Sequence, residues 1–365
     1  MVRICRSATA ACMLLLFLYT PDLAAENSLS IEIENLAGVF QGEDSVAGVS
    51  GGSEAELSFR SEANRDVKAQ VSLTADVTNA REETTEFDVY RAFIRARLPW
   101  FRLTMGKTRL SWGEGFMFNA GDVLFDSLST SVDLTGEEIR TTGTWLASVY
   151  CPLGRFSFAE TVLLTPEENP EDYPSGGGRL VLRPGGIKTE AGYIYAGDAG
   201  EHRPYVSFQG GGLINWHLSA ASAIEPVAGA EKQLDERLRL SFGLFQLFRV
   251  AYSSTLNLRL EGLLRPRGSW RAGEDPREYG LYLYPEISLT PDDRRNFFYR
   301  AVVSPVDISA LHVVGSSWNI YQGFTLLAYT GIASGEKGDL FSLQNGRDEG
   351  SPPAWFFSAG CTFVF

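Results

Sequence analysis

Histidine and cysteine, the residues from which metal sites and disulfide frameworks are built, are scarce in this chain. Its 365 residues include three histidines, His202, His217 and His312, and four cysteines, of which Cys5 and Cys12 lie close to the N-terminus. Only Cys151 and Cys361 remain in the body of the chain. No cluster has the spacing of a transition-metal site, and two cysteines are few for a disulfide-stapled exported domain. No metal and no cofactor is expected. A basic surplus is missing as well: 32 Lys and Arg face 45 Asp and Glu, a net charge of −13. That balance argues against nucleic acid as a partner, because counterion displacement needs a basic surface. Beyond residue 25, no apolar run approaches the ~20 residues of a membrane helix. No segment of helical period with caps stands out either.

The first 25 residues read as a targeting segment. Arg3 and Arg6 precede an apolar run over 8–19, with Leu14-Leu15-Leu16-Phe17-Leu18 at its centre. Pro21 and Asp22 break the run, and Leu23-Ala24-Ala25 supplies small residues before Glu26. That is the layout of a secretory signal peptide cut after Ala25. Cys12 precedes the apolar core, the wrong order for a lipoprotein, and the core is short of the ~20 residues of an anchor. Loss of Arg3, Arg6 and Asp22 takes the net charge from −13 to −14. Residues 26–365 show no linker and are expected to form one domain.

Period two dominates that domain. Over 67–78, Val67, Ala69, Val71, Leu73, Ala75 and Val77 alternate with Lys68, Gln70, Ser72, Thr74, Asp76 and Thr78. Such a run is a strand with one apolar and one wet face, about as long as a tilted membrane strand. Leu29, Ile31 and Ile33, then Tyr90, Ala92, Ile94, Ala96 and Leu98, repeat the pattern. So do Trp145, Ala147 and Val149, and Leu256, Leu258 and Leu260. Tight turns are expected at Pro99-Trp100, setting Leu98 opposite Phe101 and Arg97 opposite Arg102. Pro152-Leu153-Gly154 is expected to set Val149 opposite Phe156, and Pro184-Gly185 to set Leu182 opposite Ile187. Long polar stretches lie at 41–53, 111–138, 165–178 and 197–203. Short turns alternating with long loops suit a membrane barrel. The expected fold is all-β: a closed antiparallel transmembrane β-barrel with an even number of strands, 14–18. The weakest assignments are 204–209 and 310–331, where Gly210-Gly211-Gly212 and Trp318-Asn319 are candidate turns.

Two segments carry a family resemblance. Phe365, Phe363, Cys361, Ala359 and Phe357 share the apolar face of the last strand. A chain stopping on phenylalanine in that way resembles bacterial outer-membrane barrels, in which Phe363 and Phe365 would serve as the assembly signal. Gly106-Lys107-Thr108-Arg109-Leu110-Ser111-Trp112-Gly113-Glu114-Gly115, followed by Phe118-Asn119 and Asp122-Val123, is similar to a segment of porin-like families. Ala120 replaces the proline usual there. The resemblance implies an outer-membrane location, with membrane lipid and the barrel-assembly machinery as partners and small polar solutes or ions as cargo. It leaves the oligomeric state open. Gly113, Gly115 and Gly121 allow a sharp turn, so Trp112, Glu114, Asn119 and Asp122 are candidates for a loop that narrows the bore. An ordinary extracellular loop is the other reading.

Arg91, Arg95, Arg97 and Arg102 point one way by parity and are candidate pore-lining residues. Either they set the charge of a lumen, or they ladder with carboxylates such as Asp76, Glu56 or Glu261. His217 and Ser219, two apart on a strand, have the spacing of a base and nucleophile and resemble barrel phospholipases, but Ala220 replaces the asparagine of those families. Asp198 and His202 share a loop, a pairing too common to mark a protease. The favoured function is passive passage of small hydrophilic solutes. A surface barrel acting as adhesin or receptor through acidic loops, and a barrel lipid hydrolase, are the alternatives. In detergent the mature protein is expected to give a strand-dominated circular dichroism spectrum. A helix-dominated spectrum, or recovery as a soluble periplasmic monomer, would overturn the barrel.

Overall fold

The computed structural model describes residues 26–41, 47–64, 66–79, 83–125, 134, 143–165, 174–225, 236–275, 278–336, 339–341 and 354–365. Residues 1–25, expected to be a signal peptide, lie outside the described residues, as do the acidic pairs Glu167-Glu168 and Glu171-Asp172. The first nine strands are β1 Glu26–Gln41, β2 Ala47–Asn64, β3 Val67–Asn79, β4 Glu83–Arg97, β5 Arg102–Thr108, β6 Thr144–Pro152, β7 Phe158–Leu164, β8 Ser175–Leu182 and β9 Lys188–Ala196. The rest are β10 Glu201–Gly210, β11 Asn215–Ala221, β12 Arg239–Arg249, β13 Thr255–Leu264, β14 Leu281–Asp292, β15 Arg295–Ser304, β16 Ser309–Tyr321, β17 Phe324–Ser334 and β18 Trp355–Val364. All pair antiparallel with their sequence neighbours, and β18 returns to β1 from Glu32↔Val364 to Phe40↔Phe356. The 18-stranded sheet is closed. It leaves no hydrogen-bonding edge, which is what hydrocarbon demands.

Closure gives each strand an outer and an inner face. Leu29, Ile94, Leu258, Leu260, Phe357 and Phe363 project outward and are exposed, while Ser72, Thr104, Ser148, Ser219 and Glu261 project inward and are buried. An exposed apolar belt around a polar interior is the surface of a membrane barrel. At one rim the connections are short: 65–66, 98–101, 153–157, 183–187, 211–214, 250–254, 293–294 and 322–323. The other rim carries the long ones, 109–143, 222–238, 265–280 and 335–354 among them.

The turns decide register, and here the structure departs from the sequence reading in places. At Pro99-Trp100, Leu98 N donates to Phe101 O at 2.8 Å and Arg97 stands opposite Arg102, as expected. After β6 the turn is longer than Pro152-Leu153-Gly154. Leu153 N reaches Ser157 O at 2.9 Å, and Val149 faces Thr161 rather than Phe156. That odd shift inverts β7, so Glu160, Val162 and Leu164 face inward. At Pro184–Gly186 a 3-10 turn places Leu182 opposite Thr189. This shift is by two and keeps the faces.

Trp318-Asn319 lies within β16, and the turn falls at Gln322-Gly323, where Gly323 has φ 74°. A Cβ at Gly323 would sit 2.2 Å from the Val364 carbonyl. Strands cut into three of the expected loops: β2 begins at Ala47, β8 at Ser175 and β10 at Glu201. Gly48, Ser50, Gly51, Gly52 and Ser53 read as loop because a polar inner face and small side chains erase the alternation. A bulge between Ser72↔Arg91 and Leu73↔Val89 leaves Tyr90 unpaired, so Phe87 and Val89 point outward above it and Ala92 and Ile94 below. Cys151 and Cys361 are free thiols on non-adjacent strands.

The chain end seals the seam: Phe365 N donates to Ile31 O at 2.9 Å, and Ile31 N to Phe365 O at 3.2 Å. Deleting Phe365 is expected to lower the amount of folded barrel reaching the membrane, read by heat-modifiable mobility of the membrane fraction. Normal accumulation of the truncated chain would show that closure does not depend on it.

Candidate functional site

The connection after β5 turns into the barrel. Gly113 (φ 67°) and Gly115 (φ 143°) make the turn, and a Cβ on Gly115 would lie 2.2 Å from the Phe118 carbonyl. Trp112, Met117 and Phe118 are fully buried and join Leu146, Val162, Leu164, Ile194 and Leu263 of the wall in one apolar cluster. Trp112 stacks on Tyr205 with centroids 5.8 Å apart, and Phe118 meets Tyr282 at 6.4 Å.

Three carboxylates of the inner wall receive the polar groups of this loop. Glu160 on β7 accepts from Trp112 Nε1 at 3.2 Å and pairs with Arg179 at 2.7 Å. Glu190 on β9 accepts from Gly113 N at 2.9 Å and from the Tyr205 hydroxyl, and pairs with Arg179 at 2.9 Å and Lys188 at 3.1 Å. Glu261 on β13 accepts from the backbone of Phe116, Met117 and Phe118 at 2.9, 2.8 and 3.1 Å. Ser241 on β12 accepts from Ala120 N at 2.9 Å. Further on, Arg300 on β15 donates to Leu134 O at 2.9 Å. These contacts run from β7 round to β15, so the loop lies against one side of the bore. Buried carboxylates are tolerated because charged hydrogen bonds of roughly 1.5–3 kcal/mol each replace water.

Of the four loop residues singled out by sequence, three are internal braces. Asn119 Nδ2 donates to Trp112 O at 2.8 Å, Asp122 pairs with Arg109 at 2.7 Å, and both side chains are buried along with Trp112. Glu114 is half-buried and pairs with Lys188. Sequence reasoning did not identify Glu160 and Glu190 as anchors, and it named Glu261 only as an alternative arginine partner. For Glu160 the available signal was a lone charge among Phe158, Val162 and Leu164 on one strand face; Glu190 shares its face with Lys188, and Glu261 with Arg259, so neither stood out.

Arg97, Arg102, Tyr150, Glu160 and Arg179 form one cross-strand row, which puts Arg97 and Arg102 on the inner face with Glu160. Arg95 stands opposite the buried Thr104, and Arg91 opposite the buried Ser72. Aromatic rings support these cations: the Arg102 guanidinium is 4.3 Å from the Tyr150 centroid, Arg95 5.4 Å from Phe93 and Arg91 4.9 Å from Tyr90. Among the described residues, Arg95, Arg97 and Arg102 have no carboxylate within 4.0 Å. Glu56 and Asp76 belong instead to an acidic ladder. Glu34, Glu54, Asp76 and Glu86 stand in one row, and Glu32 faces Glu56 beside it.

His217 and Ser219 share the inner face, as their spacing predicts, but beneath the loop. Ser219 is fully buried, 2.8 Å from Ser207 Oγ, and His217 Nε2 lies 3.6 Å from Glu261. His202 lies on β10 and Asp198 in the connection before it.

These features define the class: a large closed transmembrane β-barrel with an inward-folded loop. No protein-family model and no curated protein sequence matches the chain. Solved structures do. OccAB4 of Acinetobacter baumannii is 11% identical over 93% of this chain and 98% of its own, with a TM-score of 0.59. OccK11 (OpdR) of Pseudomonas aeruginosa is 10% identical over 93% and 96%, TM-score 0.55. OprD of the same organism is 8% identical over 93% and 95%, TM-score 0.53. At such identities the likeness is one of fold.

Glu261→Ala should leave three loop N–H groups without their acceptor, at a cost of about 3 kcal/mol. Exchange of the 116–118 amides, followed by deuterium uptake, is expected to quicken roughly a hundredfold while the barrel stays closed. Unchanged exchange would mean the loop is held by other contacts.

Proposed function

We propose that the chain is an outer-membrane channel of porin type, through which small hydrophilic solutes pass without energy input. The observation that carries this reading is the wide barrel with its loop pinned to one side. Barrels of 16–18 strands have a bore too wide for wall side chains to fill and leave an aqueous path. The long-loop rim would face outside and the short-turn rim the periplasm. Residues 1–25 would direct export, and Phe363 and Phe365 would be read by the assembly machinery.

In this reading Arg91, Arg95, Arg97 and Arg102 line the passage near the short-turn rim. Trp112, Asn119 and Asp122 give the constricting loop its shape, and Glu114 and Phe116 present its front. Outward arginines would cost about 2–4 kcal/mol each at mid-membrane, which supports an inward role. The hydrolase alternative has no support in the burial of Ser219, and the acidic 166–173 loop of the receptor alternative lies outside the described residues.

Planar-bilayer recording tests the channel directly: stepwise conductance is expected, and its absence from folded barrel overturns the proposal. Across a salt gradient, Arg95→Ala with Arg97→Ala is expected to move the reversal potential toward cation preference. No movement would place these arginines outside the conduction path.

A further inference from the structure

A depression of about 520 Å³ opens on the outward face between β14 and β18. Ser316 and Ala328, opposite each other on β16 and β17, give it a floor of small side chains. Ile287, Phe297, Tyr299 and Phe357 wall it.

Toward the long-loop rim the depression ends at a chain of polar groups on the same outward face. Tyr299 Oη lies 2.9 Å from His312 Nδ1, and His312 Nε2 lies 3.2 Å from Ser334 Oγ. His312 points outward, since its row partners are Ala301 and the exposed Ile332, while adjoining Val313 is buried on the inside. Ser334 donates to the Ala310 carbonyl at 3.3 Å. That bond sets the direction of the others: Ser334 accepts from His312 Nε2–H, and His312 Nδ1 accepts from the Tyr299 hydroxyl. All protons of the chain are then engaged within it. Lone pairs on Tyr299 Oη and Ser334 Oγ remain for a ligand that donates. Unmet polar groups are unfavourable against hydrocarbon, so a matching donor stabilises the site.

Depth narrows the donor. His312 is the fourth residue of β16 from the long-loop end. With a rise of ~3.3 Å and a tilt of about 45°, it lies roughly 7 Å below the strand start. With the start of β16 set at the headgroup boundary, that depth is the level at which lipids carry the linkages to their acyl chains.

We propose that this face binds one acyl chain of the outer-leaflet glycolipid, lipid A, with the chain in the depression and its amide N–H and 3-hydroxyl donating one to each of the Tyr299 and Ser334 oxygens. Glycerophospholipids present only ester acceptors at this level, and lipid A presents donors; that difference commits the occupant. The inference rests on the outer-membrane placement proposed above and is independent of conduction.

Native mass spectrometry of detergent-purified barrel, its fold checked by heat-modifiable mobility, tests it with hexa-acylated lipid A and phosphatidylethanolamine as probes. The wild type is expected to retain one lipid A at about a tenfold lower concentration than it needs to load phosphatidylethanolamine. Tyr299→Phe with Ser334→Ala removes the acceptors and should erase that preference. Ala328→Phe fills the floor and should abolish retention. Equal loading of the two lipids by wild type, or undiminished lipid A on the acceptor variant, overturns the proposal. So does a dimer of this chain that buries β16 and β17 and excludes lipid. If Ala328→Phe does not fold, the acceptor variant alone decides. Fractionation is scored separately, because a barrel absent from the outer membrane removes the placement, and this proposal with it.

Discussion

Closure of β18 onto β1 is the constraint on which the rest of this molecule depends. In hydrocarbon an unpaired backbone N–H or C=O costs several kcal/mol, so a membrane sheet must end where it begins. The seam runs from Glu32↔Val364 to Phe40↔Phe356 and is extended by Phe365 against Ile31. Once it is made, the parity of each residue within a pair settles whether its side chain meets lipid or the bore. A ring of 18 strands then leaves an interior that wall side chains cannot fill.

The loop after β5 occupies part of that interior, and the wall is built to receive it. Glu160, Glu190 and Glu261 meet a tryptophan N–H and backbone amides that would otherwise be buried without partners. Arg179 is shared between Glu160 and Glu190, which keeps the buried charge compensated. Around these polar anchors the inner face is apolar: Leu146, Val162, Ile194 and Leu263 pack against Trp112, Met117 and Phe118. The rule that a barrel is polar within therefore fails on the side that holds the loop.

Away from the loop the wall is charged, and its charges are sorted along the barrel. On β4 alone, Glu86 and Asp88 lie in the half nearer the long-loop rim, and Arg91, Arg95 and Arg97 in the half nearer the short turns. Carboxylates stand opposite carboxylates in the Glu34–Glu54–Asp76–Glu86 row, an arrangement unfavourable in a sheet pair. Glu54, half-exposed Asp76 and exposed Glu86 retain access to solvent, which moderates the repulsion. Arg97 facing Arg102 is the same situation with the sign reversed.

Much of this was legible without coordinates. The unbroken alternation over 67–78, the outward Leu256, Leu258 and Leu260, the Pro99-Trp100 turn and the apolar face of the last strand are local patterns of period two. Local sterics and solvent on either side of one strand are enough to write them. β7 shows the limit. Its inner residues Val162 and Leu164 are as apolar as its outer ones, because they pack beneath the loop, and turn length rather than hydrophobicity sets their direction. The Gly-rich starts of β2 and β8 read as loops for a related reason, since neighbouring strands supply the order that their own side chains do not. What the sequence determined by itself was the class, a closed antiparallel membrane barrel, because alternation is a property of each strand alone. The strand number of 18, the faces of β7 and the three carboxylate anchors were decided only by tertiary structure. Each depends on which residues distant in the chain are brought together by closure.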